Sequence, residues 1–138
     1  MKYMILTYGS QQDYDGMAGQ ATDQSAWSPE DFAAMAAFME AFNTELAEAG
    51  ELVETRALAA PVHARRLGAQ NGVPFVTDGP YAETQEVLAG YWIVECDSFD
   101  RATEIAGRLA DCPAPERVRA NAYADVRPIM ESTTEIPD

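Results

Sequence analysis

Asp78, Glu83 and His63 are the residues of this sequence best suited to proton transfer. Asp78 lies in an Asp-Gly-Pro turn, Glu83 follows soon after it, and His63 is the single histidine of the chain. A carboxyl group buried in a cleft has a raised pKa and acts as a general acid or base, and histidine titrates near neutral pH. We therefore predict that these three residues are catalytic.

Each of the three also has a structural interpretation. The Asp78 carboxylate is suited to bonding its own backbone and Gly79 to a positive φ, so the turn needs both without catalysis. His63 is also consistent with an isolated surface histidine. Glu83 and Glu86 would share one face of a helical turn near Asp78, and three carboxylates suit a cation such as Mg²⁺. A solvated acidic cluster is the commoner outcome, so we predict no metal.

A second group of residues is typical of a wall that binds a small polar or aromatic molecule. Arg127 carries a guanidinium suited to bidentate contact with an anion, and its alternative is a salt bridge to Asp125 or Asp78. The predicted aromatic wall consists of Tyr8, Tyr81 and Trp92. The hypothesis is a small lyase or hydrolase. A ligand- or protein-binding module is the alternative, and a dimeric scaffold without chemistry is a third interpretation.

The composition excludes several classes of partner and cofactor. The net charge is −14 over 138 residues, whereas nucleic acids and anionic membranes need a basic surface. The sequence has no G-x-G-x-x-G or phosphate-binding loop, so we predict no cofactor. It has two cysteines without metal or redox spacing, a short apolar start and no apolar run of membrane-spanning length. We predict a cytoplasmic location.

Two helices follow from capping residues and apolar periodicity. The first begins at Ser28-Pro29-Glu30-Asp31 and ends at Gly50, since serine caps a helix and glycine takes the left-handed stop. Its apolar stripe consists of Phe32, Met35, Met39, Phe42 and Leu46. The second begins at Ser98, and its stripe consists of Ala102, Ile105, Ala106 and Leu109. Residues 10–27 show no periodicity, and we predict a mobile loop there.

Strands account for most of the rest. The predicted strands cover residues 2–8, 52–58, 62–67, 73–77, 88–96 and 120–130. Asn71-Gly72 predicts a hairpin between the third and fourth of these. The resulting order is β-α-β, a β-hairpin insertion, then β-α-β. It predicts one α+β domain over 1–138, a ferredoxin-like split βαβ sandwich with a hairpin insertion and a tail at 132–138. Its open sheet face predicts a homodimer.

Several blocks of the chain resemble one family. Thr77-Asp78-Gly79-Pro80-Tyr81-Ala82-Glu83-Thr84 is similar to the T-D-G-P-F-A-E-T signature of the DGPF branch of the YCII-related proteins, with tyrosine in place of phenylalanine. The other resembling blocks are Met1-Lys2-Tyr3-Met4, Ser28-Pro29-Glu30, Leu88-Ala89-Gly90-Tyr91-Trp92 and Val126-Arg127-Pro128-Ile129-Met130-Glu131. The resemblance covers nearly the whole chain apart from residues 10–27 and the tail.

The resemblance implies a dimeric α+β barrel of ferredoxin-like halves. Most members have no assigned activity. A few related proteins are dehydrochlorinase-like enzymes that use a His with an Asp, and others are encoded beside extracytoplasmic sigma factors. Many members carry a His midway along the first helix, where this chain has Met39. The family's His-Asp pair therefore has no matching histidine here.

Overall fold

The structure, a computed structural model, describes residues 1–20 and 26–132. Its strands are β1 (Lys2–Gly9), β2 (Leu52–Ala57), β3 (Arg65–Gln70), β4 (Val73–Asp78), β5 (Val87–Glu95) and β6 (Ala124–Pro128). Its helices are α1 (Gln11–Met17), α2 (Pro29–Glu48), α3 (Phe99–Gly107) and α4 (Glu116–Arg119), with 3-10 turns at Pro61–His63 and Arg108–Asp111. The predicted tail lies almost wholly outside the described residues.

The main sheet has the order β2-β5-β1-β6 and is antiparallel throughout. β5 therefore separates β1 from β2, and β1 separates β5 from β6. The connection containing α2 links the first split pair and that containing α3 links the second. This is the predicted ferredoxin-like α+β fold. The predicted hairpin insertion is also confirmed, because β3 and β4 form a separate two-stranded sheet.

One face of the main sheet forms the core. Ile5 pairs with Trp92 on one neighbouring strand and with Val126 on the other, so the three side chains share this face. α2 adds Phe42 and Leu46 to the same cluster. α3 adds Ala102, Ile105 and Ala106. The opposite face, called the open face below, carries the half-buried side chains of Met4, Leu6, Tyr91 and Ile93.

Serine caps begin the two predicted helices. The Ser28 hydroxyl accepts from the amide of Asp31, whose carboxylate accepts from the Ser28 amide, a reciprocal pair that satisfies two unpaired donors. The Ser98 hydroxyl accepts from the amide of Arg101 in the same way. Both predicted helix starts are confirmed. No helix in the described ranges combines the length and apolarity needed to cross a membrane.

The predicted loop over residues 10–27 contains a helix, α1. Ser10 and Asp13 form the same reciprocal cap that begins α2. The prediction of an irregular segment was wrong for residues 11–17. This segment is rich in Gly, Gln and Asp and has no apolar periodicity, but the cap that begins α1 does not depend on apolar periodicity. Its mobility stays a prediction, and part of the predicted loop, residues 21–25, lies outside the described residues.

Two strand boundaries also differ from those predicted. The first hairpin strand begins at Arg65, because Pro61 starts a 3-10 turn that includes His63. His63 therefore lies outside the strand that was predicted to cover residues 62–67. The last strand covers only Ala124–Pro128, after the short helix α4. The predicted Asn71-Gly72 turn is confirmed, with φ angles of 51° and 79°.

Candidate functional site

A pocket of about 290 Å³ lies at the base of the hairpin, between the segment that precedes β3 and the segment that follows β4. Most of its lining is apolar, and it consists of Leu58, Ala59, Ala60, Pro61, Ala64, Val87 and Leu88, together with His63 and Tyr81. A concave apolar surface with a few polar groups is the usual form of a small-molecule site. This pocket is therefore the candidate functional site.

The pocket brings together two predicted site residues that are far apart in sequence. His63 reaches it from the 3-10 turn before β3, where its amide donates to the carbonyl of Ala60 at 3.0 Å. Tyr81 reaches it from the turn after β4, and the Arg66 guanidinium lies 5.2 Å from the centre of its ring. An imidazole and a phenol thus supply the side-chain polar groups of an otherwise apolar lining.

Helix α1 holds both sides of this pocket in place. The side-chain oxygen of Gln11 accepts from the amide of Val62, in the middle of the 3-10 turn, at 2.8 Å. The amide of Gln12 donates to the carbonyl of Glu83 at 3.0 Å, on the segment that carries Tyr81. These two bonds join the chain before the hairpin to the chain after it.

Tyr14 adds a third bond from α1 to the pocket lining. Its hydroxyl donates to the carbonyl of Leu58 at 2.9 Å, and burial raises the pKa of the phenol. The sequence interpretation missed Gln11 and Tyr14 because it placed them in a loop. The available signal was Ser10-x-x-Asp13, which has the spacing of the cap that was recognised at Ser28.

Asp78 and Glu83 lie outside the pocket lining. The Asp78 side chain is 75% exposed and accepts from Arg65 Nε at 2.7 Å. Gly79 has φ of 55°, and its amide donates to the carbonyl of Ala64 at 2.8 Å. This placement favours the structural interpretation of the Asp-Gly turn, which ties the end of β4 to the start of β3. Glu83 is exposed, and its contact with α1 is made through its backbone.

The predicted carboxylate cluster does not assemble. The segment holding Glu83 and Glu86 is a turn rather than a helix, so the two do not share a helical face. Glu86 instead accepts from the Tyr123 hydroxyl at 2.6 Å. Among the residues that the structure describes, no group of three His, Cys, Asp or Glu side chains is placed to hold a metal ion.

Tyr8 and Arg127 belong to a separate cluster at the β1-β6 side of the main sheet. The Tyr8 hydroxyl donates to Asp125 at 2.7 Å, and its ring stacks on Tyr123 with centroids 5.3 Å apart. Arg127 pairs with Met4 across the strands and therefore lies on the open face. In the described chain Arg127 forms no ion pair, so the alternative of a salt bridge to Asp125 or Asp78 does not hold.

Tyrosine-carboxylate hydrogen bonds are characteristic of this cluster and of its neighbour on β5. The bond to Asp125 raises the pKa of Tyr8, and the bond to Glu86 raises the pKa of Tyr123 to about 12. Tyr91 has a raised pKa because it donates to a carboxylate of β2 at 2.8 Å. All three phenols therefore stay protonated at neutral pH and act as donors.

Trp92 is not a wall residue. It lies on the core face of β5 with 6% of its surface exposed. Its indole N–H donates to the side-chain oxygen of Asn43 at 2.7 Å, and its ring meets the Phe42 ring edge to face. The predicted ligand contact is therefore wrong, because strand alternation turns Trp92 under α2. A buried indole also needs a partner for its N–H, which Asn43 supplies.

Comparison with known proteins identifies a family to which the chain is similar and a relative that it resembles in sequence. The YCII-related domain matches residues 1–132 of the chain. An uncharacterized protein of Rhizobium meliloti (strain 1021) is 34% identical over 111 residues, which cover 80% of this chain and 82% of that protein. The family match therefore includes the main sheet with its helices, the hairpin and the residues that line the pocket.

Proposed function

Since the chain belongs to the YCII-related family, which fixes its fold and leaves its ligand open, we propose that it binds a small molecule in the pocket between His63 and Tyr81. The observation that carries this proposal is the convergence of the chain's single imidazole and a tyrosine on one apolar pocket. Its volume, about 290 Å³, lies at the small end of ligand sites. The ligand is a compact apolar molecule with one polar end.

Binding is favoured over catalysis because the pocket lacks a paired acid and base. Asp78 is exposed and bonded to Arg65, and neither Asp78 nor Glu83 lines the pocket. His63 therefore has no carboxylate from the predicted catalytic set to orient its ring. Triad-like catalysis depends on such an orienting group, so the geometry supports a binding module first.

Pocket occupancy is tested by ligand-observed NMR with four probes of similar size: benzoate, benzylamine, phenol and benzyl alcohol. Ala59→Trp fills the pocket from its exposed rim, and Ala36→Trp on the exposed side of α2 is the matched control. We expect the wild type and the control to bind at least one probe, and Ala59→Trp to weaken that binding at least about tenfold. Binding that is absent, or equal in all three proteins, would overturn the proposal.

A lyase or hydrolase remains the second candidate function, with His63 as a lone general acid or base. The observation that favours it is the place of His63 in the pocket lining, where its ring is available to a bound molecule. The test compares hydrolysis of p-nitrophenyl acetate and butyrate by the wild type and His63→Gln. Turnover that is lost in His63→Gln while probe binding is retained would support catalysis, and equal rates would exclude His63 as the catalytic group.

We also propose that a second copy of the chain covers the open face. Met4, Leu6 and Ile93 lie there among hydrogen-bonded tyrosines, an apolar surface with polar edges that suits an isologous contact. Sedimentation equilibrium at micromolar concentration is expected to give a dimer. A folded species of 15.0 kDa under those conditions would contradict this proposal.

We also propose that the protein is located in the cytoplasm. Cys96 and Cys112 are both free thiols, and burial raises the pKa of each. Unpaired thiols of this kind are typical of proteins in a reducing compartment.

A further inference from the structure

The β3-β4 hairpin stands apart from the packed part of the molecule. Every residue of both strands is exposed, and the two strands pair only with each other. An isolated two-stranded hairpin is marginally stable in water, because it buries too little apolar surface. A hairpin of this length is therefore expected to gain a covering surface in the working state of the protein.

The two faces of the hairpin differ in what they leave exposed. On one face, Phe75 lies over Gly68, close enough that a Cβ at Gly68 would be 2.8 Å from the Phe75 ring. Leu67 pairs with Val76 on the other face, and these side chains are 71% and 62% exposed. The face of Leu67 and Val76, with Ala69 and Pro74 beside it, is called the arm face below.

The charge of the hairpin is opposite to that of the rest of the chain. Arg65 and Arg66 lie in β3 and Asp78 in β4, whereas the whole chain carries −14. The ion pair with Asp78 neutralises the charge of Arg65, so the hairpin has a net charge of one, carried by Arg66. A weakly positive hairpin is attracted to any acidic surface, and the nearest abundant one is a second copy of this chain.

The open face by itself is small for a stable dimer. The four strands have 8, 6, 9 and 5 residues, and at about 3.3 Å per residue and about 4.8 Å between strands they give a flat footprint of roughly 440 Å². A stable interface buries about 800 Å² on each partner. A hairpin whose strands are each six residues long adds a second footprint, used twice in a symmetric pair.

We propose that the β3-β4 hairpin is a docking arm for a second copy of the chain, with the arm face of Leu67 and Val76 buried against it. The two apolar side chains supply the burial, and Arg66, on the other face of the hairpin, lowers the repulsion between the hairpin and the acidic partner. Each protomer gives one arm and receives one. This surface lies outside the pocket, so it does not depend on the ligand-binding proposal.

The arm face is tested by sedimentation velocity over a dilution series. Leu67→Thr/Val76→Thr removes apolar area and places threonine, a residue with high strand propensity, in both strands. Val73→Thr is the matched control, because Val73 is 65% exposed and lies on the other face of the same hairpin. We expect the dimer Kd to rise at least about tenfold in the double variant and to change less than about twofold in the control. A monomeric wild type, or equal effects of the two substitutions, would overturn the proposal.

Two further measurements separate the arm from a dimer that uses the sheet alone. Salt screens both the attraction of Arg66 and the repulsion between two chains of −14 each, so Arg66→Gln is compared with the wild type at each salt concentration and is expected to raise the dimer Kd most at low salt. Amides of β3 and β4 are expected to exchange rapidly in dilute protein and slowly in concentrated protein. If concentration protects β5 but not the hairpin, the sheet alone forms the dimer and the arm proposal fails. Circular dichroism melting confirms that each variant is folded.

Discussion

The main sheet and the β3-β4 hairpin are both antiparallel, and they are stabilised differently. Ile5 and Val94 in the sheet are completely buried, whereas no residue of the hairpin strands is buried. The hairpin is held by a local turn, in which Asn71 and Gly72 both have positive φ. The sheet is held by strands from distant parts of the chain and by two helices. Alternating apolar residues therefore indicate a strand, and they do not indicate whether it reaches the core.

The largest expected effect comes from two phenylalanines, one in each region. Phe42 is 1% exposed and packs against Trp92, so Phe42→Ala is expected to lower the free energy of unfolding by about 3–5 kcal/mol. Phe75 is 36% exposed and covers Gly68, so Phe75→Ala is expected to cost about 1 kcal/mol or less. Urea denaturation at one protein concentration measures both. Similar losses would mean that the hairpin is part of the same cooperative core.

The Asp78-Gly79 turn gives the next effect. Gly79 has a positive φ of 55°, where a residue with a Cβ is strained, so Gly79→Ala is expected to cost about 1–2 kcal/mol. Asp78→Asn removes an exposed ion pair and is expected to cost less than about 0.5 kcal/mol. Thermal melts of the two variants, with probe binding as a second readout, rank them. If Asp78→Asn abolished an activity with unchanged melting, the catalytic interpretation of Asp78 would be restored.

Helix α1, which the Ser10 cap begins, contacts both sides of the pocket at the base of the hairpin. Ser10→Ala and Ser28→Ala are each expected to lower stability by about 1 kcal/mol, because each removes one N-cap hydrogen bond. Only Ser10→Ala is expected to weaken probe binding as well, since α1 holds both sides of the pocket through Gln11 and Gln12. Equal probe binding by both variants would show that α1 does not shape the pocket.

Acid titration gives the smallest effect and concerns an ion pair of the packed region. Two hydrogen bonds from Arg101 lower the pKa of Glu51 below its usual 4.5. A lowered folded-state pKa contributes stability above the unfolded value, and this contribution is lost as the pH falls through the folded pKa. We expect Glu51→Gln to reduce the loss of stability below pH 4.5. A Glu51→Gln profile equal to that of the wild type would contradict this prediction.

Local chemistry explains which predictions about the fold succeeded. Ser28, Ser98 and Asn71-Gly72 act within a few residues of chain, so their effects are visible in the sequence. Ser10 forms the same type of local cap, but the segment after it has no apolar periodicity and was therefore predicted to be a loop. The prediction that Trp92 contacts a ligand was wrong for a different reason. Only the packing of α2 on the sheet decides which face of β5 lies in the core.

The sequence by itself determined the order of the strands and of the two helices that pack on the sheet, the ferredoxin-like fold and the family, because caps, turns and apolar periods are properties of neighbouring residues. The tertiary structure decided which residues share a site. It joined His63 to Tyr81 across the hairpin and left Asp78 exposed beside Arg65. The physical reason is that a pocket forms where distant segments are held together, here by side-chain and backbone bonds from α1, and no local pattern encodes which segments those are.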